Sequence, residues 1–238
     1  MNDHLRPADD DDAIDLVVQG SHALAAAGQT DMIWGHCSVR DPRGRGAWMK
    51  SSGWGFEEID QARVVLVAPD GAILGGRGSR HIEYPIHTEL MRRDQSVGAV
   101  VHTHSAAANA ICALDVPLRP LDHAGCLFGY PDPPRFTLTG GLIRDASLGR
   151  ALADTIAGAP ACLIPQHGLV TTGSDLPTAV MTAVLLDQAC RTQLTAMAAG
   201  ALTRWGGREA TLAKRAEVWT PQSIRGGWDY LLRTGIDG

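Results

Sequence analysis

The 238 residues are 45% hydrophobic and 20% charged, with 21 Lys and Arg against 26 Asp and Glu and a formal charge of −5. This ordinary globular mix excludes disorder, collagen and coiled coil, and a chain of this length buries a core without disulfide or metal staples. No Lys/Arg cluster offers a nucleic-acid footprint and no apolar run nears the ~20 residues of a membrane span, so a small-molecule partner is expected, with no nucleic acid and no membrane.

Residues 1–11 read as a flexible acidic tail without a signal or transit pattern. The spacing of Ile14, Leu16, Val17, Leu24 and Ala25 predicts a first helix over Ala13–Ala27, closed by Gly28. Short strands follow at Cys37–Arg40 and Ala47–Lys50 across the turn-rich DPRGRG, then a hairpin of Val64–Ala68 and Ala72–Leu74 about Pro69-Asp70-Gly71. A helix is predicted over Glu83–Arg93, a buried strand over Val97–His104 and a helix in the Ala-rich SAAANAICALD. Next come a strand at Arg135–Leu138, a helix over Asp145–Ala157 and a buried strand at Ala161–Pro165 that leads to His167-Gly168. Leu176–Gly200 reads as a long helix whose apolar residues nearly encircle it, which suits a central or interface position. Residues 201–238 form a helical extension, with helices at Arg208–Trp219 and Trp228–Leu232. One α/β domain over 1–238 accounts for the pattern. The five cysteines stand singly, with no Cys-x-x-Cys pair, which fits reduced thiols and a cytoplasmic location.

The chemistry concentrates in histidines. His102 and His104 sit two apart at a strand end, so both imidazoles point to one face and are able to grip one metal ion. His167 ends a second apolar strand and supplies a third ligand, with Gly168 allowing a sharp turn beside it. Three neutral imidazoles with an open fourth position make a catalytic type of zinc site, although each histidine alone also fits an ordinary strand-end role. Glu83 and His87 lie four apart on one helix face. Near a metal, Glu83 serves as general acid/base or fourth ligand; otherwise it is a helix-start carboxylate favoured by the dipole. The loops Gly35–Arg40 and Ser51-Ser52-Gly53 carry small donors able to cradle an anion, or are plain turns.

Taken in order, GHCSVR, SSG, HIEYPIH, VGAVVHTHS and QHGLV resemble the class II aldolase/adducin family over about residues 12–200. The resemblance implies an αβα three-layer sandwich around a mainly antiparallel sheet, and a homotetramer with sites near subunit interfaces. It places the metal histidines on His102, His104 and His167 and the acid/base on Glu83. The sugar-phosphate aldolases of the family carry a serine pair before that glutamate, where this chain has His81 and Ile82, and an asparagine where it has His36. An apolar Ile82 makes a poor phosphate cradle, so the pattern is more similar to the branch acting on carboxylated substrates. The reading is a lyase that carries one divalent ion per chain, Zn²⁺ first with Mn²⁺, Co²⁺ or Fe²⁺ as alternatives. It breaks a C–C bond through an enolate, by decarboxylating a non-phosphorylated hydroxy-aromatic or keto carboxylate. Glu83 or His87 supplies the proton. His36, Ser51, Ser52, Gly53, His81 and His123 bind substrate, with Arg119 a further pocket candidate and Ile82 and Trp54 an apolar wall. Tyr230 either reaches a neighbouring subunit's site or is a packing residue. Aldolase, dehydratase or epimerase chemistry and a non-enzymatic adducin-like module are the alternatives.

Overall fold

The computed structural model describes residues 6–235. The first helix, α1 (Asp10–Ala26), starts three residues earlier than expected, because the Asp9 side chain accepts from the Asp12 N–H and three aspartates favour the positive end of the dipole. Arg6 donates to the carbonyls of Ser96 and Ser174. The expected tail over 1–11 thus hands its end to α1, and residues 1–5 lie outside the described part.

Seven strands follow: β1 (His36–Arg40), β2 (Ala47–Lys50), β3 (Val64–Val67), β4 (Ile73–Gly75), β5 (Ala99–Thr103), β6 (Ala161–Ile164) and β7 (Gly168–Gly173). They make one antiparallel sheet in the order β4-β3-β2-β1-β5-β7-β6. The helices are α2 (Tyr84–Arg93), α3 (Ala106–Leu114), α4 (Gly125–Phe128), α5 (Ala146–Ile156), α6 (Leu176–Ala199), α7 (Arg208–Val218) and α8 (Pro221–Gly235). Strand alternation separates two cores. Cys37, Val39, Val101, Leu163 and Leu169 join the core under α1, α3, α4, α6 and α8. Val100, Cys162, Ile164 and Val170 join the core under α2 and α5 with Ile86 and Leu152. The result is the expected αβα sandwich. Truncating a fully buried side chain such as Ile86 or Leu152 costs about 2–5 kcal/mol, so packing holds α2 firmly in place.

Local differences have physical causes. α2 begins at Tyr84, with Glu83 as the residue before its first turn. Arg135–Leu138 forms no strand and makes only one bridge, Arg135 to Leu163. β7 was not expected; its sequence, GLVTTG, carries too few apolar residues to read as a strand, and pairing with β5 and β6 on both sides supplies what composition does not. His167 lies in the tight β6–β7 turn instead of ending a strand. The left-handed residue there is Gln166, at φ +64°. Gly168 serves a different need, since a Cβ on it would lie 2.2 Å from the Thr103 carbonyl oxygen. α6 is wrapped by β5, β7, α1, α3, α4 and α8 of the same chain, which accounts for its apolar circumference without an interface. The terminal helix expected at Trp228–Leu232 is longer, spanning all of α8.

All five cysteines are free and buried. Burial raises the thiols of Cys37 to about 11 and of Cys162 and Cys190 to about 12. No helix among the described residues is long and apolar enough to cross a membrane.

Candidate active site and metal centre

One end of the sheet gathers the start of β1, the ends of β2 and β5, the β6–β7 turn and the start of α2. There Glu83, His102, His104 and His167 each offer a ligand atom, all within 4.8 Å of one another. His102 projects from β5 beneath α2 and is fully buried. Its Nδ1 lies 2.9 Å from the Leu169 carbonyl oxygen, so that nitrogen carries the proton and Nε2 is left with a lone pair. His104 Nδ1 lies 2.9 Å from an Asp31 carboxylate oxygen, which sets the same tautomer. The two Nε2 atoms face each other at 3.1 Å. Both ring nitrogens of His167 are buried and make no hydrogen bond, Nε2 facing only the Glu83 carboxylate at 3.5 Å, while its carbonyl accepts from Asn109. Two opposed lone pairs and an unpartnered third imidazole are the donor set of a divalent cation, so these residues fit the metal that the pattern implies.

Glu83 is fixed at both carboxylate oxygens. Oε1 accepts from the Ile143 N–H at 2.7 Å, and Oε2 lies 3.7 Å from His102 Nε2 and 3.5 Å from His167 Nε2. Burial alone raises this carboxyl, but the neighbouring His167 and His102 and the Ile143 N–H outweigh it and hold it at about 2. Burial, first of several causes, pushes His102 down to about 3, so its imidazole is neutral and free to ligate.

Asp31, which the sequence did not single out, orients a ligand from an exposed loop. Removing such a partner usually weakens metal binding ~10–100-fold. Asp31→Ala is therefore expected to lose about that much affinity in a chelator competition, with the fold intact.

A second layer lies behind the first. His36, paired with His102 across β1 and β5, places its ring 5.0 Å from that of His102 and 4.4 Å from that of His81. His36 Nδ1 meets His87 Nε2 at 2.6 Å, and His87 Nδ1 meets the Ser38 hydroxyl at 2.6 Å. His87 therefore has no free nitrogen, is fully buried and braces His36; this corrects its expected role as proton donor. Glu83 sits just before α2, as its N-cap residue. Next to His81 stands Lys50, the last residue of β2, with no exposed surface. Its ammonium donates to the Ile33 carbonyl at 3.1 Å, lies 3.5 Å from His81 Nε2 and sits 5.3 Å from the centre of the Phe56 ring. Burial is the main reason it titrates at about 8 instead of 10.5. The unfolded chain keeps this proton to higher pH than the folded one, so folding stability gains as pH climbs from about 8 towards 10.5. That gain is expected to vanish in Lys50→Met, read by urea melts across the window.

The remaining candidates divide. Ser51 is buried with its hydroxyl unpartnered, and Gly78 packs so closely that a Cβ there would lie 2.0 Å from that oxygen. Ser52 donates its N–H to Ser79, and Gly53 takes a left-handed φ of +86° in an open turn. Ile82 is exposed, while a face of Trp54 is covered by Arg63 at 4.0 Å, which removes that face from the expected apolar wall. His123 is exposed beside α4, its carbonyl accepting from Trp219, and Arg119 stacks on Trp205; neither touches the cluster. Tyr230 is 58% exposed on α8 with no bond to the cluster, so one chain does not bring it to the site.

Residues 15–194 match the family described as Class II Aldolase and Adducin N-terminal domain. The chain belongs to the class II aldolase and adducin family. The matched stretch runs from α1 into α6 and contains every residue of the cluster, while α7 and α8 lie beyond it. Among curated relatives, this family member is 34% identical over 173 residues to Decarboxylase NovR of Streptomyces niveus, covering 71% of this chain and 64% of that protein. It is 33% identical over 173 residues to the 4-hydroxy-3-prenylphenylpyruvate oxygenase/4-hydroxy-3-prenylbenzoate synthase of Streptomyces roseochromogenus subsp. oscitans, covering 71% and 62%. The chain thus spans less than two thirds of either relative's length. Among solved structures, an L-fuculose 1-phosphate aldolase from Glaciozyma antarctica PI12 superposes with a TM-score of 0.81 at 23% identity, covering 94% of this chain and 88% of that one. An aldolase II superfamily protein from Pseudomonas syringae gives 0.84 at 23% identity, covering 94% and 93%. At these identities the likeness shows the fold alone.

Proposed function

We propose that this family member is a divalent-metal-dependent lyase that releases CO2 from a non-phosphorylated hydroxy-aromatic or keto carboxylate. The observation that carries the reading is the Glu83 carboxylate held against three imidazoles whose free nitrogens converge. His102, His104 and His167 hold the ion, Zn²⁺ first, with Mn²⁺, Co²⁺ and Fe²⁺ as alternatives. Once bound, a divalent ion supplies Lewis-acid stabilisation of the negative charge that develops on the substrate. Glu83 Oε2 takes a proton from a substrate hydroxyl. When the C–C bond breaks, its electron pair stays on the substrate carbon, and Glu83 returns the proton there. Glu83 and His102 are themselves buried away from bulk water. His36, held by His87, and His81, Ser51, Ser52 and Gly53 form the substrate wall.

His81 and Ile82, in place of two hydroxyl donors, support a substrate without phosphate. The names of the two curated relatives, a decarboxylase and an oxygenase acting on a hydroxyphenylpyruvate derivative, support a carboxylate on an aromatic or keto skeleton. Five buried free thiols support a cytoplasmic location. The loops that hold Asp31 and Ile143 also expose Met32, Trp34, Leu138 and Leu142, an apolar surface beside the site that supports a homotetramer with sites near its interfaces. Light scattering is expected to give a tetramer, and a monomer at micromolar concentration contradicts that assembly.

The deciding experiment incubates metal-loaded protein with hydroxy-aromatic acids, arylpyruvates and, as a control, ketose phosphates, with and without oxygen. Mass spectrometry is expected to find products lighter by CO2 from a carboxylate under both atmospheres. Efficient cleavage of a ketose phosphate with no CO2 from any acid overturns the reading, and absence of both metal and turnover would leave an interaction module.

A further inference from the structure

Two of the three proposed metal ligands have an acceptor for the ring nitrogen that does not face the ion: the Leu169 carbonyl for His102 and the Asp31 carboxylate for His104. His167 has none. Its Nε2 looks into the cluster, 3.5 Å from Glu83 Oε2, and its ring stacks on that of His104 with centres 5.3 Å apart. Nδ1 is therefore the nitrogen left to carry the proton, and it is buried without a hydrogen-bond partner among the described residues. A buried N–H with no acceptor is costly. Asn109 shows the opposite defect. It interrupts the alanine run that opens α3, where Ala is the best helix former and Asn a weaker one. Its Nδ2 donates to the His167 carbonyl at 3.1 Å, while its Oδ1 is buried with no donor. That orientation of the amide follows from chemistry, since a carbonyl only accepts. Nδ1 is the imidazole nitrogen nearer its residue's own main chain, and the Asn109 amide is already docked on that main chain. An orphaned donor and an orphaned acceptor thus belong to one bonded pair of residues, 58 positions apart in sequence.

We propose that Asn109 is the positioning residue of the third ligand: with an ion at His167 Nε2, Asn109 Oδ1 accepts the His167 Nδ1–H while Nδ2 keeps the carbonyl. The proposal rests on His102, His104 and His167 as the ligands and is independent of the substrate. One amide then fixes His167 at both main chain and ring, in a turn whose preceding residue, Gln166, is held at φ +64°. Accepting that proton selects the tautomer that leaves the Nε2 lone pair to the ion, holds the ring in place and raises its basicity. Asn109 itself touches neither ion nor substrate. α3 is secured for this task at its first turn by Ser105, whose hydroxyl accepts from the Ala108 N–H and donates to the buried Asp187 on α6. All three ligands then have an acceptor behind them, of three kinds: a carbonyl, a carboxylate and an amide.

The test titrates Zn²⁺ into the full chain against a chromophoric chelator, for wild type, Asn109→Ala and Asn109→Asp. Alanine removes both contacts and is expected to weaken Zn²⁺ binding by about 10–100-fold, the usual effect of losing such a partner. Aspartate gives up donation to the carbonyl but keeps an acceptor for Nδ1–H, so it is expected to recover most of that loss. A residue that only held the turn would lose alike in both variants, since neither bonds the carbonyl. Thermal melts in excess chelator are expected to show Asn109→Ala folded. The ring is also readable without any variant: with isotope-labelled histidine in the Zn²⁺-loaded wild type, NMR is expected to show His167 as the Nδ1–H tautomer with that proton protected from exchange. Alanine binding Zn²⁺ as tightly as wild type overturns the proposal, as does a folded aspartate variant as weak as alanine, or an Nδ1 proton that exchanges freely. A wild-type chain that binds no Zn²⁺ overturns the ligand assignment and this proposal with it, whereas tight wild-type binding that survives Asn109→Ala overturns the proposal alone.

Discussion

His104→Ala is expected to bring bound metal down from one ion per chain to a trace and to take turnover with it, in a protein that stays folded. The choice of His104 over its neighbours is physical. His102 is fully buried and its loss strands the Leu169 carbonyl, so alanine there confounds folding with ligation. His104 retains some exposure at its side chain, and its removal relieves the facing Nε2 lone pairs of the metal-free state. Only Asp31 loses a partner, and Asp31 is itself partly solvated. Elemental analysis after gel filtration, set beside a thermal melt of the chelated proteins, separates the two effects. Full metal content in a folded His104→Ala protein would sink the three-histidine assignment.

Glu83→Gln is expected to keep the metal and lose about 10²–10⁴-fold in kcat, the usual contribution of a positioned acid/base group. The substitution preserves shape, and the amide oxygen still accepts from the Ile143 N–H. It removes the proton acceptor that a carboxyl held at about 2 provides over the whole neutral range. Three imidazoles suffice to hold an ion, so metal content reports ligation while kcat reports proton transfer. Turnover near the wild-type rate would reduce Glu83 to a spectator.

His102 and His104 were legible because strand geometry is local: two residues apart means one face. Glu83 was legible only through the motif around it, since the helix expected to carry it starts one residue later. The partners that tune these groups were out of reach. Asp31 and His104 are 73 positions apart and Ile143 and Glu83 are 60, and no periodicity links loops that meet only through the tertiary fold. β7 was hidden because its glycines and threonines carry no apolar signature, although Gly168 is required by the nearness of Thr103. Lys50 did carry a signal, a charge closing the otherwise apolar AWMK, which reads as a harmless strand end until the strands on either side are placed.

The five buried thiols give the molecule a set of internal clocks. A thiolate, not a thiol, attacks an alkylating reagent, and burial with a raised titration point suppresses both access and ionisation. Each cysteine therefore reacts only when its own element opens: Cys37 with β1, Cys162 with β6, Cys190 with α6. Metal that ties the β5 end to the β6–β7 turn should slow Cys162 more than Cys190, and peptide mapping of a timed iodoacetamide exposure turns that difference into a regional measure of how far the centre's grip extends into the sheet.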